Sequence, residues 1–377
     1  MKILQIIPGL TLGGPTFSVT TLTRYLSKLG HCVQLYTEDT NFQGYNDIDI
    51  HPFNILNFPY NKQLAFSTSL RKELRRECKD ADIIQTNSLW QYPNFVMEYA
   101  RKASSAKSVI VPRGTLSEYA LSLSSVKKRL VLAIGQRNAL HNADMFIATC
   151  EKEYHDIRAF GLKQPVAIIP NGLELPSIPS SVVKKKNILF LARIHKIKGL
   201  DILINAWREI SHDHRFSDWD LIIAGPKESD YAQRMISLAS DLERVTFVGE
   251  ISGQNKINLM AESFLYVLPT HTENFGISIA EALAAATPVI TTTGAPWKGV
   301  EEHNCGKWIE LSPENLKQAL IQMMSKSESE LIQMGKNGRN WVSHEFSWTE
   351  IADKTVKSYE WLLNPTSIDI PAWIRIN

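Results

Sequence analysis

Long apolar runs are missing from this 377-residue sequence, in which no stretch approaches 18 consecutive apolar residues. A membrane-spanning helix needs about 20 such residues, so the sequence predicts none. The opening run KILQII ends at Pro8-Gly9 and is too short for the apolar core of a signal peptide. We therefore expect a cytoplasmic protein whose first residues form a buried strand.

Cysteine is scarce and shows no pattern. Neither a CxxC pair nor a metal-ligand spacing occurs among the four cysteines, which are Cys32, Cys78, Cys150 and Cys305. Reduced thiols in a cytoplasmic protein are the simplest interpretation. Two Asp-x-Asp pairs, beginning at Asp47 and Asp218, have a spacing that can hold a divalent metal beside a nucleotide, but their surroundings do not support such a site. We predict no metal.

The dinucleotide fingerprint G-x-G-x-x-G is also missing. The loop after the first strand, Pro8–Pro15, reads PGLTLGGP and leads into a helix. No acidic residue closes a well-placed second strand about 20 residues later, as a ribose-binding acid would. The loop can form a backbone nest for a phosphate or a simple strand-to-helix turn, and the sequence does not decide between them.

Net charge is low, at +2, but unevenly distributed. Residues 1–170 contain 20 Lys and Arg against 14 Asp and Glu. A basic first half can face an anionic membrane or an anionic acceptor, although ordinary scatter explains the same excess. Within a predicted helix over Val126–Asn142, Lys127–Arg129 precede the apolar Leu130–Ile134. This order is typical either of an interfacial helix or of one packed on a sheet.

Strand-like and helix-like segments alternate twice along the chain, which predicts an α/β protein with two Rossmann-like, doubly wound domains facing a central cleft. We place the first domain at 1–170 and the second at 187–347. Residues 171–186, NGLELPSIPSSVVKKK, read as a linker whose Lys184–Lys186 run is solvated. Open sheets of this kind bind ligands at the carboxyl ends of their strands.

Two cations follow the first strand of the second half. In Leu191–Gly199, LARIHKIKG, Arg193 and Lys198 lie just beyond the strand. Arginine can grip phosphate oxygens through two N–H groups, while lysine acts as a point charge. We interpret the pair as a diphosphate site; the alternative is a solvated basic loop.

The segment Pro269–Pro288, PTHTENFGISIAEALAAATP, contains the most informative pattern. Glu273 and Glu281 bracket Gly276 at the predicted start of a helix. Amides at a helix start bind anions, glycine allows close backbone approach, and a carboxylate accepts hydrogen bonds from neighbouring hydroxyls. The pattern therefore favours a site for a phosphorylated sugar.

Together these pieces resemble a GT-B retaining glycosyltransferase of family 4, in the right order and over most of the chain. The E-x7-E signature of that family matches Glu273–Glu281. The other matching segments are Pro8–Val19, Ile169–Leu173, Ala192–Gly199 and Gly225-Pro226. Val111–Leu116, VPRGTL, resembles a segment of members that build bacterial surface polysaccharides.

The resemblance implies transfer of a hexosyl unit from a UDP- or GDP-sugar without a metal or other cofactor. It implies a glycan or lipid-linked glycan acceptor in lipopolysaccharide O-antigen or capsule biosynthesis, and no nucleic acid partner. The protein would be cytoplasmic, with contact to the inner leaflet of the plasma membrane left open. The late helix, Trp348–Leu363, would cross back onto the first domain, together with the tail to residue 377.

The resemblance also assigns residues. Arg193 and Lys198 would neutralise the diphosphate, Glu273 would sit against the donor sugar and take part in catalysis with them, and Glu281 would bind the ribose diol. The further donor-binding residues implied are Gly13, Gly14, Gly225, Pro226, Asn274, Phe275, Gly276 and Ile277. On the acceptor side it implies Asn87, Arg113 and Asn171. Asn87 stands where many members carry a histidine, and an amide carries no proton at neutral pH.

Three other functions stay open. A sugar-nucleotide epimerase on the same architecture would need further acid and base groups. A nicotinamide-dependent oxidoreductase would need the missing fingerprint. A catalytically silent binding module would not need Glu273 and Glu281, which are both intact.

Overall fold

The computed structural model describes residues 1–10, 14–38, 45–57, 64–102 and 104–376. It divides into two compact units, which we call unit 1 (Met1–Gly172 with Trp348–Asn377) and unit 2 (Leu173–Ser347). Gly13, predicted to bind the donor, lies outside the described residues. No helix in the described part of the chain is long and apolar enough to cross a bilayer.

The strands, in chain order, are β1 (Lys2–Ile6), β2 (Cys32–Glu38), β3 (Asp49–Phe53), β4 (Ile83–Asn87), β5 (Lys107–Val111), β6 (Met145–Ala148), β7 (Val166–Ile168), β8 (Lys185–Leu191), β9 (Asp220–Ala224), β10 (Val245–Gly249), β11 (Ser263–Leu268), β12 (Val289–Thr292), β13 (Gly306–Ile309) and β14 (Ile374–Arg375).

The α-helices, in chain order, are α1 (Gly14–Lys28), α2 (Thr68–Glu77), α3 (Tyr92–Arg101), α4 (Glu118–Ser122), α5 (Ser125–Val131), α6 (Arg137–His141), α7 (Glu151–Ala159), α8 (Leu200–Ile210), α9 (Asp230–Leu238), α10 (Gly253–Glu262), α11 (Ile277–Ala284), α12 (Gly299–Glu302), α13 (Pro313–Met324), α14 (Glu328–Glu345) and α15 (Trp348–Leu363). Short 3-10 turns cover Lys196–Lys198 and His214–Phe216, and a π-helical segment covers Leu132–Gln136.

Unit 1 is built on an eight-stranded sheet in the order β14-β7-β6-β5-β4-β1-β2-β3. All of its pairs are parallel except β14 with β7. The central strands are almost fully buried, as expected for a parallel sheet covered on both faces. The sequence analysis missed β3, which contains Pro52. Proline cannot donate to a ladder and is tolerated at a sheet edge, where β3 lies.

Unit 2 has a parallel six-stranded sheet in the order β10-β9-β8-β11-β12-β13. Strand β11 is buried along its whole length, and β8 contributes the buried side chains of Ile188, Leu189 and Phe190 to the core. Two parallel, Rossmann-like sheets flanked by helices were predicted, and this fold class is confirmed.

The late helix α15 lies in unit 1, where it packs against α1. Trp348 opens α15, is buried, and stacks on Tyr25 with 6.3 Å between ring centroids. A side chain at Gly172 would overlap the Trp348 ring, since an added Cβ would come within 2.3 Å of it. Glycine at 172 therefore lets the chain pass closely beneath the indole.

One long helix was predicted over Val126–Asn142, and the structure divides this stretch into α5, the π-helical segment and α6. Gly135, inside the π-helical segment, leaves the helical backbone conformation. A Cβ at this position would lie 2.8 Å from the ring of Phe95 on α3. The absence of a side chain thus lets the segment approach α3 closely.

Lys184 corrects the expectation of a solvated lysine run in the linker. Its side chain is half-buried, and its ammonium donates to Ser263 O (2.8 Å), Ala286 O (2.9 Å) and Thr287 Oγ1 (2.9 Å). Strand β8 starts at Lys185, which is inside the predicted linker 171–186. Burial lowers the pKa of Lys184 to about 7. Three acceptors match the three N–H groups of a protonated amine, so Lys184 joins the entry of β8 to the turns beside β11 and β12.

We predict that Lys184→Met lowers the free energy of unfolding by about 1–3 kcal/mol, because buried acceptors lose their donor. The neighbouring Lys185, which is 59% exposed, provides the matched control Lys185→Met, with an expected change near zero. The pKa of Lys184 in the folded protein lies below the ordinary value of 10.5. Between these two pKa values, the unfolded chain therefore binds more protons than the folded chain. The stability of the natural protein relative to Lys184→Met should therefore rise from about pH 7 to pH 10. Equal denaturation midpoints for both variants would contradict the assignment.

Candidate active site

The sheet of unit 2 has a topological switch point between β8 and β11. From β8 the chain continues to β9 on one side, while β11 lies on the other side. Because the strands are parallel, the loops that follow β8 and β11 leave the same edge of the sheet. Crevices at such points are where open α/β sheets bind ligands. The loop after β8 carries Arg193 and Lys198, and the loop after β11 carries Glu273.

Lys198 and Glu273 form an ion pair across this switch point. Their side chains are only 18% and 11% exposed, so water screens the pair weakly. Two hydrogen bonds join the same loops, from His271 N to Ile197 O (2.8 Å) and from Thr270 Oγ1 to Ile197 O (2.9 Å). Two of the three predicted catalytic residues, Lys198 and Glu273, therefore belong to one fastened pair of loops.

Arg193 and His195 occupy the start of the loop after β8. The Arg193 side chain is exposed. The His195 ring accepts a hydrogen bond from Ile197 N (3.3 Å) and caps the 3-10 turn that ends in Lys198. Burial, followed by the charges of Arg193 and the two nearby lysines, lowers the pKa of His195. The neutral ring that results is the form that can accept from the amide.

Two glycines permit close backbone approach at this edge. Gly199 has φ +68°, and a Cβ there would lie 2.0 Å from Pro269 O. A Cβ at Gly225, at the predicted turn after β9, would lie 2.2 Å from Ala192 O. Pro226 follows and is half-buried. The predicted residues Gly225 and Pro226 thus stand beside the loop after β8, and both glycines are needed for the loops to converge.

The first turn of α11 begins immediately after Gly276, which has φ +83°. The first amides of a helix have no partner within it, and here they belong to the predicted donor segment, with Asn274 half-buried and Ile277 at the first helical position. Phe275 is different, because its ring is 6% exposed and packs on Trp297 at 5.3 Å between centroids. Its carbonyl accepts from Trp297 Nε1. The Phe275 side chain therefore anchors the loop, and only its backbone can face a ligand.

Glu281, one turn into α11, has a partner that the sequence analysis missed. Lys256 Nζ of α10 lies 2.5 Å from Glu281 Oε1. Both side chains are about one quarter exposed, at 26% and 27%. The pair joins residues 25 positions apart, so no local spacing could have revealed it. Because a carboxylate has several lone-pair sites, Glu281 keeps capacity for a second partner.

Unit 1 brings its three predicted acceptor-side residues together. Arg113 donates from Nε and Nη2 to Asn87 Oδ1 (3.2 and 2.9 Å) and from Nη1 to Asn171 Oδ1 (3.3 Å). Asn87 closes β4 and also donates from Nδ2 to Ile6 O at the end of β1 (3.3 Å). Strands β1 and β4 flank the switch point of this sheet, since β2 lies on the other side of β1. Asn87 thus orients Arg113 rather than standing as an isolated polar group.

A buried carboxylate supports the Arg113 loop. Glu153 is 1% exposed and accepts from Thr149 N (2.7 Å), Thr149 Oγ1 (2.8 Å) and Gly114 N (2.5 Å). Arg113 itself has φ +54°, a conformation that non-glycine residues seldom adopt. Burial lowers the pKa of Arg113 to about 10, while the Glu153 charge acts in the opposite direction. Gln85, Thr149 and Trp348 line a small cavity with Arg113 and Asn171.

The two Asp-x-Asp pairs take part in surface ion pairs. Asp47 Oδ1 accepts from Arg24 Nη2 at 3.1 Å, which lowers the pKa of Asp47. Asp218 lies 2.6 Å from Lys186 Nζ. Among the residues that the structure describes, no group of three or more His, Cys, Asp or Glu side chains is arranged to hold a metal ion.

Two family models match the chain in succession. The model for Glycosyltransferase Family 4 matches residues 12–175, and that for Glycosyl transferases group 1 matches residues 174–341. The chain is built from two glycosyltransferase domains. The group 1 domain contains the Lys198–Glu273 pair and α11, and the family 4 domain contains the Arg113 cluster.

Curated relatives of these glycosyltransferase domains include an uncharacterized glycosyltransferase of Methanocaldococcus jannaschii, 29% identical over 47% of this chain, and one of Haemophilus influenzae, 25% identical over 77% of this chain. The matches span 45% and 80% of those proteins, respectively.

Solved structures show the same GT-B fold at low sequence identity. Anabaena HepE in complex with UDP and glucose has a TM-score of 0.75 at 17% identity, over 96% of this chain and 99% of that one. WaaG, a glycosyltransferase involved in lipopolysaccharide biosynthesis, has a TM-score of 0.70 at 16% identity, over 95% and 99%.

A pair of glycine variants tests the close approach in the group 1 glycosyltransferase domain. Gly253 has φ +57° but nothing within 4 Å of an added Cβ. Gly253→Ala should therefore cost only the left-handed backbone term, about 1–2 kcal/mol of unfolding free energy. Gly199→Ala should lower the unfolding free energy by about 1–3 kcal/mol more than Gly253→Ala, because its Cβ must displace backbone at Pro269. Chemical denaturation measures both, and equal losses would mean that the loops have room to separate.

Proposed function

We propose that this protein transfers a hexosyl unit from a UDP- or GDP-sugar to a glycan or lipid-linked glycan, with retention of the anomeric configuration. The observation that carries the proposal is the Lys198–Glu273 pair at the switch point of a glycosyltransferase group 1 domain, beside the first turn of α11. Unit 2 is proposed to bind the donor and unit 1 the acceptor.

The donor's diphosphate would be met by positive groups from two directions. Arg193 and Lys198 follow β8, and the amides of Asn274–Ile277 precede and open α11. As the anomeric bond breaks, negative charge grows on the diphosphate. Preorganised donors of this kind contribute about 3–4 kcal/mol each when they face the developing charge. We propose that they supply the charge that a divalent metal supplies in metal-dependent transferases.

The chemical step exchanges one bond for another at the anomeric carbon. Its bond to the diphosphate oxygen breaks, and the electron pair leaves with the diphosphate. A bond forms from the acceptor hydroxyl oxygen on the same face, and the hydroxyl proton passes to a phosphate oxygen. Glu273 would lie against the donor sugar, and its ion pair with Lys198 would set the carboxylate in place before the donor arrives.

Glu281 is proposed to hold the ribose diol of the nucleotide. Its ion pair with Lys256 fixes the direction of the carboxylate. Lys256 is then a positioning residue for the nucleotide. Gly225 and Pro226, which follow β9, would line the nucleotide side of the same edge. Gly14, at the start of α1, stays a predicted donor-binding residue.

Acceptor recognition is proposed for the Arg113 cluster of unit 1. Asn87 and Asn171 hold the guanidinium, and the Glu153 network supports its loop. A guanidinium fixed in this way suits a phosphate or a polar sugar group on the acceptor. Because both ends of the Asn87 amide are already hydrogen-bonded, this residue would act through Arg113 rather than as a base.

Surface polysaccharide biosynthesis, of the lipopolysaccharide O-antigen or capsule type, is the proposed pathway class. VPRGTL at Val111–Leu116 supports it by its resemblance, and the fold is shared with WaaG. A UDP donor is supported by the complex of HepE with UDP and glucose. The residues of this site do not favour UDP over GDP, so a GDP donor stays an alternative. We propose that the protein works in the cytoplasm at the inner face of the plasma membrane.

Removing either member of the switch-point pair should abolish most turnover. We predict that Lys198→Ala and Glu273→Ala lower kcat at least about a hundredfold each, the scale of losing one transition-state donor. The matched control is Lys317→Ala, which breaks an ion pair with Glu209 on the surface of the same unit and should leave kcat unchanged. Circular dichroism should show that all three variants fold. Near-normal transfer by either site variant would remove the assignment.

Donor class is tested with the unmodified protein by thermal shift against UDP- and GDP-sugars. A ligand present at 100 times its dissociation constant stabilises by about 2.7 kcal/mol, so one nucleotide class should raise the melting temperature and the other should not. Glu281→Gln should weaken that shift, because ribose loses a charged acceptor. Conversion of the donor sugar without any acceptor would instead indicate an epimerase.

A further inference from the structure

Four large apolar side chains on the surface of unit 1 stand close together in sequence. Leu123, Val126, Leu130 and Ile134, which we call the apolar stripe, are between 51% and 77% exposed. Val126 and Leu130 are one helical turn apart on α5, and Ile134 follows at the same interval in the π-helical segment. Residues at this spacing share one face of a helix. Single exposed apolar residues are ordinary, but a contiguous exposed patch marks an interaction site.

A cavity adjoins the stripe at Ile134. It has a volume of about 190 Å³ and lies among α2, α3 and the π-helical segment. Its apolar lining includes Phe95, Val96 and Tyr99, and Tyr99 is 60% exposed. An apolar cavity of about 150 Å³ is large enough to bind benzene, so this one has room for a short stretch of hydrocarbon chain. The approach of Gly135 to Phe95 forms one wall.

Cations border both features. The Arg71 guanidinium lies 4.3 Å from the centroid of the Tyr99 ring, and Lys102 Nζ lies 5.6 Å from it. Between Tyr119 and Ala143 the sequence holds four Lys or Arg and no acidic residue. Among these, Lys127, Arg129 and Arg137 are exposed.

Two charged residues nearby are already engaged. Lys128 turns inward, where Nζ donates to Leu123 O at 2.8 Å, and burial lowers its pKa. Glu98, the one acid among the described residues that line the cavity, is buried and pairs with Arg101 Nε at 2.7 Å. The net charge presented around the stripe is therefore positive.

We infer that the apolar stripe and its cavity form a docking surface for an anionic phospholipid bilayer. Apolar residues on one face of a helix flanked by basic ones are the pattern of interfacial helices. Arg71 and Lys102 suit lipid phosphates, and the cavity between them and Ile134 suits the upper part of an acyl chain. The inference rests on the proposed function in one respect: the lipid-linked acceptor identifies the bilayer as the plasma membrane.

Flotation of the full chain with lipid vesicles, in the absence of any donor, tests this surface. The protein should float with vesicles of phosphatidylcholine mixed with phosphatidylglycerol and not with pure phosphatidylcholine, and salt should reduce binding. Val126→Gln/Leu130→Gln should lower the partition coefficient at least about tenfold, because two apolar side chains no longer enter the bilayer. Arg71→Gln/Lys102→Gln should lower it about fivefold per charge.

The control removes exposed apolar residues elsewhere. Val183 and Ile332 in unit 2 are 72% and 38% exposed, and Val183→Gln/Ile332→Gln should float like the natural protein. Unchanged flotation of the stripe variant would overturn the inference. So would a dimer in sedimentation equilibrium that the stripe variant converts to a monomer while vesicle binding persists, because the stripe would then be an interface between copies.

A transfer assay with a water-soluble acceptor separates this inference from the proposed function. The stripe variant should retain full transfer, because its substituted residues lie outside the donor and acceptor sites. Flotation that behaves as expected in a protein that transfers no sugar would overturn the proposed function alone.

Discussion

The ion pair between Lys198 and Glu273 is the interaction on which the candidate site depends. It exists because β8 and β11 are adjacent parallel strands whose following loops leave the same edge. Gly199 lets the first loop approach Pro269, and hydrogen bonds from the Thr270 hydroxyl and the His271 amide to Ile197 O hold it there. Sheet order, a glycine conformation and two charged side chains thus converge on one point, and α11 begins beside it.

Much of this could be predicted from the sequence because the relevant signals are local. Strand–helix alternation predicted both parallel sheets, which the structure confirms. Arg193 and Lys198 follow a predicted strand directly, which places them at a strand end. The interval between Glu273 and Glu281 places these two acids on either side of a helix start. In a parallel sheet, these positions determine which edge a group occupies, so a one-dimensional pattern carries three-dimensional information. The roles assigned to these residues stay predictions.

Other features could not be predicted, because they depend on residues far apart in sequence. Lys184 belongs to a run of three lysines. Only its three acceptors, on residues 263, 286 and 287, distinguish it from Lys185 and Lys186, which form ion pairs with Glu262 and Asp218. The role of Lys256 depends on its ion pair with Glu281, which lies on another helix. The sequence predicted the three acceptor-side residues separately. Only the structure shows that Asn87 and Asn171 hydrogen-bond Arg113. Strand β3 escaped detection because Pro52 is unusual in a strand and tolerated only at an edge.

Trp297 has a consequence of another kind. Its indole nitrogen donates to Phe275 O, and its ring packs with Phe275, Trp341 and Phe346 beneath the loop that carries Glu273. An indole in such contact senses the polarity and motion of the peptide group it holds. In a variant in which the other eight tryptophans of the chain are replaced, the emission of Trp297 would report rearrangement of that loop without an attached dye.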